Sequence, residues 1–293
     1  TDTNTVLVNS TGLKENKLDF LHASKIRASF MLFAPLLYRF KEASIPNPGG
    51  CRIGARPIDR IVNGMTDLGI NVSYNSETGY YKALMNDKPS GDYTFVKSSH
   101  TGTELMILLS VFCKDTVTLH NTAVEPDIDD LISFLNEGGA KIRRNGNDIV
   151  IEGVKSLIQK KPHTIVSDRN EATTFAVLGI ITKGDVTVCP IPENYLKTFI
   201  NVIEKIKGGT EKIGENSWRF FYKGPLISLD IVTAPHPGFM TDWQPNWAVL
   251  MTQAAGKSLI HERVFENRFS YVDELIKMGA KIEYSSPIVQ NPE

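Results

Sequence analysis

Apolar and polar positions alternate with two periods along this chain, and the two recur together. Four segments read as an amphipathic helix that stops at a glycine and leads into a strand: 61–70, 131–140, 201–210 and 271–280. The glycines fall at 69, 139, 209 and 279, a constant step of 70, with Val62, Ile132, Val202 and Val272 on a shared apolar position. Ile128, Leu131, Ile132 and Leu135 keep the i, i+3, i+4, i+7 spacing of a helix with one buried face. A glycine takes the positive φ that ends many helices without a Cβ penalty. After it, Ala140–Arg144 alternates, Asn145-Gly-Asn-Asp supplies a turn, and Ile149-Val-Ile alternates again, which predicts a hairpin. A second helix is expected in each unit, at 24–38, 101–113, 168–181 and 241–255, with Asp168 and Asp242 at polar starts. Each unit is therefore strand, helix, strand, helix, hairpin. One copy cannot cover both faces of its own sheet, so neighbouring copies must pack together.

At about 150 residues per domain, 293 residues make roughly two domains. The polar, proline-bearing break Gln159–His163 is the best boundary and gives domains of 1–167 and 168–293. Lys and Arg number 32 against 33 Asp and Glu, a net charge of -1, so no bulk field calls for nucleic acid or an anionic membrane. The longest apolar run, Leu105–Cys113, is far short of the ~20 residues of a spanning helix. Three cysteines, at 51, 113 and 189, are too few for a disulfide framework, which fits a reducing cytoplasm. The histidines show no metal-ligand spacing, and no phosphate-cradling glycine loop is present. The chain opens on Thr, which suggests a start inside a longer gene product.

Chemistry concentrates in a few loops. Pro46–Asp59 packs three prolines, three glycines, two arginines and Cys51 just before a helix. Gly49 and Gly50 allow mobility or a close backbone approach to a ligand. Arg52 and Arg56 would lower the thiol pKa, and Arg56 offers a planar fork for phosphate or carboxylate. The same composition also suits a surface loop with incidental charges. Cys113 and Cys189 read as buried small apolar residues. Thr233–Asp242 is another loop ending at a helix start, where Asp242 is either an N-cap or a catalytic base. Lys97–Thr103 opens a helix whose N–H groups suit an anion.

Taken together these segments resemble the enolpyruvyl transferase family. The residues that carry the resemblance are Pro48–Asp59, Ile26–Ser29, Thr233–Pro237 with Thr241 and Asp242, and Val264–Phe269, supported by Asp168, Arg169, Glu171 and the Glu125-Pro126 pair. They lie in the family's order over nearly the whole chain. The cysteine loop is specific to the branch that acts on a UDP-sugar, because the shikimate branch lacks it.

The resemblance implies an α/β fold of two similar domains, each an inside-out α/β barrel of three repeats, with the site in the cleft between them. Four repeats are recognised here against the family's six. The opening repeat with its Lys-Asn pair and the closing part with its late arginines are expected to be missing. The implied reaction moves the enolpyruvyl group of phosphoenolpyruvate to the 3'-hydroxyl of UDP-N-acetylglucosamine and releases phosphate, the first committed step of peptidoglycan and cell-wall synthesis, and it needs no cofactor. Cys51 would be the general acid at the methylene carbon and Asp242 the acceptor of the hydroxyl proton. Arg27 and Arg56 would neutralise phosphate and carboxylate. Pro57, Ile58, Asp59 and Arg60 would line the uracil, Lys97, Ser98, Ser99 and His100 the ribose and diphosphate, and Val264 would touch the sugar. Arg60 stands where the family has a small apolar residue, Val124 replaces an arginine before the Glu-Pro pair, and Ser99–Thr103 is rearranged. A shikimate 3-phosphate transferase, or a silent repeat protein binding a nucleotide sugar, are the competing readings.

Overall fold

The structure, a computed structural model, describes residues 4–285. Contacts divide the chain into two compact units. The first runs to Cys51 and resumes over Pro57–His163; the second takes in Arg52–Arg56 and the chain from Thr164 onward. The sequence reading instead places the boundary at 167/168 and keeps the whole cysteine loop in the first domain. The contacts put four more residues and part of that loop with the second unit.

The first unit opens with α1 (Phe20–Ala23), a 3-10 helix at Arg27–Leu32 and α2 (Phe33–Phe40). After these come β1 (Glu42–Pro46), α3 (Asp59–Asp67), β2 (Asn71–Asn75) and β3 (Tyr80–Leu84), with sheet order β1-β3-β2. The next repeat is complete: β4 (Gly91–Thr94), α4 (His100–Ser110), β5 (Thr116–His120), α5 (Pro126–Glu137), β6 (Lys141–Asn145) and β7 (Asp148–Glu152). β4 and β5 are parallel, and β7 joins β5 and β6 antiparallel. The 145–148 hairpin forms as predicted.

The second unit holds α6 (Arg169–Ile181), β8 (Asp185–Val188), α7 (Glu193–Lys205), β9 (Gly209–Gly214) and β10 (Ser217–Phe221), in sheet order β8-β10-β9. Then come β11 (Ile231–Val232), a 3-10 turn at Thr241–Trp243, α8 (Gln244–Met251), β12 (Ile260–His261) and α9 (Val272–Lys277). Both units are α/β.

Helices with apolar residues on all sides sit inside each unit. Of the 11 residues of α4, 7 are buried, and α6 likewise buries 7 of 13. Strands cover them with one face only; β5, β7 and β10 alternate buried and partly exposed positions. Each unit has its own core. The first centres on Phe30, Phe33, Ile45, Met65 and Phe95, the second on Phe199, Phe220, Trp243 and Trp247.

The helix stops show what the 70-residue step means. α3, α5 and α9 end in the same way, with Gly69, Gly139 and Gly279 at φ 88°, 102° and 96°. In each, the N–H of that glycine and of the next residue bond back to carbonyls three and five residues earlier: Gly69 to Thr66 and Ile70 to Met65, for example. The third repeat differs. Lys207 takes the left-handed position at φ 66°, bonding Glu204, while Gly208 bonds Ile203. Gly209 instead starts β9, where a Cβ would come within 2.7 Å of Phe221 atoms. The equivalent steps are thus 69, 139, 207 and 279. Ile200 rather than Val202 then matches Val62, Ile132 and Val272, and Ile200 is the buried one of that pair.

Candidate functional site

Two helix starts in the first unit carry predicted groups. Arg27 begins the 3-10 helix and donates from Nη2 to the Pro57 carbonyl at 3.3 Å, which brings it to the far end of the cysteine loop. Pro57 and Asp59 are exposed, with Asp59 in the first turn of α3. Ile58 is 8% exposed and turns its side chain into the core, so any part in binding falls to its backbone. Arg60 is half-buried, and its carbonyl accepts the Tyr93 hydroxyl at 2.8 Å. Lys97 and Ser98 are exposed. Ser99 caps α4, its hydroxyl accepting the Gly102 N–H at 3.2 Å. His100 points its Nε2 at two carboxylates, 3.4 Å from Asp127 Oδ2 and 3.6 Å from Glu104 Oε1. Two carboxylates therefore face His100 at this helix start, and burial raises the Glu104 carboxyl above its ordinary range.

Cys51 is an exposed free thiol. The glycines ahead of it serve the protein's own backbone: a Cβ on Gly49 would lie 2.1 Å from the Ser24 carbonyl oxygen, and Gly50 sits at φ 117°. The close approach expected for a ligand is therefore made to Ser24. Cys113 is buried, as its apolar helix predicts. Cys189 is exposed, against expectation, because β8 ends at Val188 and leaves it beyond the strand.

The second unit holds the rest. Arg56 has φ 33°, a backbone region unfavourable for any residue with a Cβ, and its guanidinium lies 5.7 Å from the Phe265 ring centroid. Asp242 does not cap a helix. Its carboxylate Oδ1 accepts from Arg268 Nη2 at 2.6 Å, and Arg268 Nε reaches the Thr241 carbonyl at 3.3 Å. The Arg268 side chain is 13% exposed and Asp242 46%, so the cation is held from behind while the carboxylate faces out. The neighbouring Thr241 hydroxyl donates to Glu262 Oε2 at 2.9 Å, and Glu262 Oε1 accepts the N–H groups of Val264 and Phe265. One carboxylate thus ties the Asp242 turn to the Val264 turn. Asp168 caps α6 with bonds from the Asn170 and Glu171 N–H groups, and Trp243 Nε1 donates to Asn170 Oδ1 at 3.0 Å, fixing the Asp242 turn against α6.

Glu266 and Arg268 carry no assigned role in the sequence reading beyond lying inside Val264–Phe269. The Glu-Asn-Arg run of opposite charges there is the one local signal that could have marked them.

The family model for EPSP synthase (3-phosphoshikimate 1-carboxyvinyltransferase) matches residues 2–292. The chain belongs to this family of enolpyruvyl transferases. It is 37% identical over 285 residues to a UDP-N-acetylglucosamine 1-carboxyvinyltransferase of Desulfatibacillum aliphaticivorans, covering 97% of this chain and 68% of the relative. A second, UDP-N-acetylglucosamine 1-carboxyvinyltransferase 2 of Prochlorococcus marinus, is 41% identical over 260 residues, 88% of this chain and 60% of the relative. The chain therefore spans roughly two thirds of the length of these curated relatives. Among solved structures, the enolpyruvyl transferase NikO from Streptomyces tendae superimposes with a TM-score of 0.76 at 19% identity, over 89% of this chain and 62% of that one. That likeness supports the fold.

Proposed function

We propose that this chain carries the machinery for transferring the enolpyruvyl group of phosphoenolpyruvate to the 3'-hydroxyl of UDP-N-acetylglucosamine, with release of phosphate. The observation that carries the reading is the exposed Cys51 thiol on a loop whose second arginine, Arg56, five residues on, is held in a strained backbone conformation. The curated relatives' names favour the UDP-sugar over shikimate 3-phosphate.

The chemistry is addition followed by elimination. The sugar oxygen attacks C2 of phosphoenolpyruvate while the Cys51 S–H protonates C3, and Asp242 takes the hydroxyl proton. C3 then returns a proton to the Cys51 sulfur as the C2–O bond to phosphate breaks, the phosphate leaves with the proton held by Asp242, and an enolpyruvyl ether and inorganic phosphate result. Arg27 and Arg56 offer paired N–H donors to phosphate and carboxylate oxygens. Arg268 fixes the direction of Asp242 by engaging Oδ1. Pro57, Asp59 and Arg60 are assigned to the uracil, Lys97–His100 to ribose and diphosphate, and Val264 to the sugar. The step belongs to peptidoglycan synthesis in the cytoplasm; no helix among the described residues is long and apolar enough to cross a membrane.

A phosphate-release assay tests the reading. Phosphate should appear with phosphoenolpyruvate and UDP-N-acetylglucosamine together and with neither alone. Release with shikimate 3-phosphate in place of the UDP-sugar would transfer the chain to the other branch. Calorimetric binding of the UDP-sugar with no release would make it a silent binder.

A further inference from the structure

The Arg52–Arg56 segment, which belongs to the second unit, is held there by Glu266. Ala55 donates its N–H to Glu266 Oε2 at 3.3 Å, and the N–H of the next residue, Asn267, donates to the Ile53 carbonyl at 3.0 Å. Between these bonds Gly54 sits at φ 150°, and a Cβ there would come 2.1 Å from Glu266 Oε2 and 3.2 Å from the Glu266 nitrogen. The Arg56 guanidinium lies over Phe265, the residue before Glu266. Three consecutive residues, Phe265, Glu266 and Asn267, therefore receive four consecutive loop residues, Ile53 to Arg56. Glu266 is itself exposed, and it spends its carboxylate on a backbone amide 211 positions away in sequence. Gly50, at φ 117°, and Gly54 take backbone conformations that side chains rarely adopt, which lets the loop reach this seat.

We infer that Glu266 is a latch: it sets how much of the time the Arg52–Arg56 segment is seated, and so fixes the working position of Arg56. It is a positioning residue that acts through the loop. What the seated loop is for rests on the enolpyruvyl-transfer reading; the latch itself is read without substrate.

The test is limited trypsin cleavage after Arg52, an exposed site that opens only as fast as the loop is released. Glu266→Ala removes the acceptor and should speed this cut by about fivefold, the effect of one lost hydrogen bond. Glu266→Gln keeps an acceptor oxygen for the Ala55 N–H and should stay close to wild type. Gly54→Ala should mimic Glu266→Ala, and its added effect should shrink when Glu266 is already Ala, because the clash at Oε2 is gone. With both substrates present, Glu266→Ala should lower kcat with little change in KM for the UDP-sugar. Equal cleavage of Glu266→Ala and wild type, with both folded by circular dichroism, overturns the latch. So does a Gly54→Ala effect undiminished in the Glu266→Ala background. Faster cleavage in a protein without phosphate release leaves the latch standing and removes the proposed reaction.

Discussion

Lys207→Gly should stabilise the second unit, although it removes a side chain. Lys207 occupies the left-handed stop of α7 at φ 66°, where the matching positions in the other repeats are Gly69, Gly139 and Gly279. A Cβ in this region costs roughly 1–2 kcal/mol through its clash with the neighbouring carbonyl. Glycine gives back part of that gain by its greater freedom in the unfolded chain, about 0.4–1 kcal/mol. Lys207 is exposed, so no packing is lost. The net expectation is a gain of about 0.5–1 kcal/mol. All three tryptophans, Trp218, Trp243 and Trp247, belong to the second unit, so fluorescence follows that unit alone. With a urea slope of about 2 kcal/mol/M, the midpoint should rise by roughly 0.3–0.5 M. Lys207→Ala keeps the Cβ and should leave the midpoint where it is. A midpoint that falls in Lys207→Gly, or that rises equally in Lys207→Ala, would refute the assignment of strain to the backbone at this position.

Other consequences can be measured separately. Arg268→Ala should reduce kcat by about 10- to 100-fold with a smaller change in KM, because Asp242 loses its orienting partner; Arg268→Lys should recover part of it, which steady-state kinetics reads directly. His163 lies between Glu137 and Asp130, with a ring nitrogen 3.0 Å from each, and the Glu137 hydrogen bond leads in raising its pKa. A raised histidine pKa contributes stability that is full below the ordinary 6.5 and is lost as pH rises through the raised value. The partner carboxyl, Glu137, is lowered chiefly by its bond to His163, so its contribution is present above 4.5 and lost as pH falls through the lowered value. Thermal melts should therefore show His163→Ala most destabilised between pH 4.5 and 6.5 and converging on wild type at alkaline pH.

Much of the repeat can be read from local chemistry, and where that reading stops has physical causes. The 145–148 hairpin is carried by alternation and a turn glycine, both local. The helix expected over 24–38 is broken because Pro35 lacks an N–H and fits only the first turn of α2, so the chain enters through a 3-10 turn. Pro245 does the same at α8, which shortens the helix expected over 241–255 and leaves Asp242 outside it. The third stop falls at Lys207 and not at Gly209, because Gly209 answers a packing demand from Phe221, which spacing cannot distinguish from a helix stop. For the candidate site, residue type marks Cys51 and Arg56 as candidates and leaves Asp242 between an N-cap and a base, and it is the family resemblance that chooses the base. Their supports were not legible: Arg268 is paired with Asp242 across 26 residues and Glu266 with Ala55 across 211, and only the folded chain brings these together.

If Cys51 is the reacting acid, its thiol should stand apart from the other two in selectivity. Cys51 and Cys189 are both exposed, so iodoacetamide should label both and spare buried Cys113. An epoxide-bearing phosphonate that imitates phosphoenolpyruvate should be opened by the Cys51 sulfur alone when the UDP-sugar is present, and peptide mass spectrometry should find the adduct on the Cys51 peptide and lose it in Cys51→Ser. Adducts shared equally between Cys51 and Cys189, or surviving in Cys51→Ser, would contradict the account.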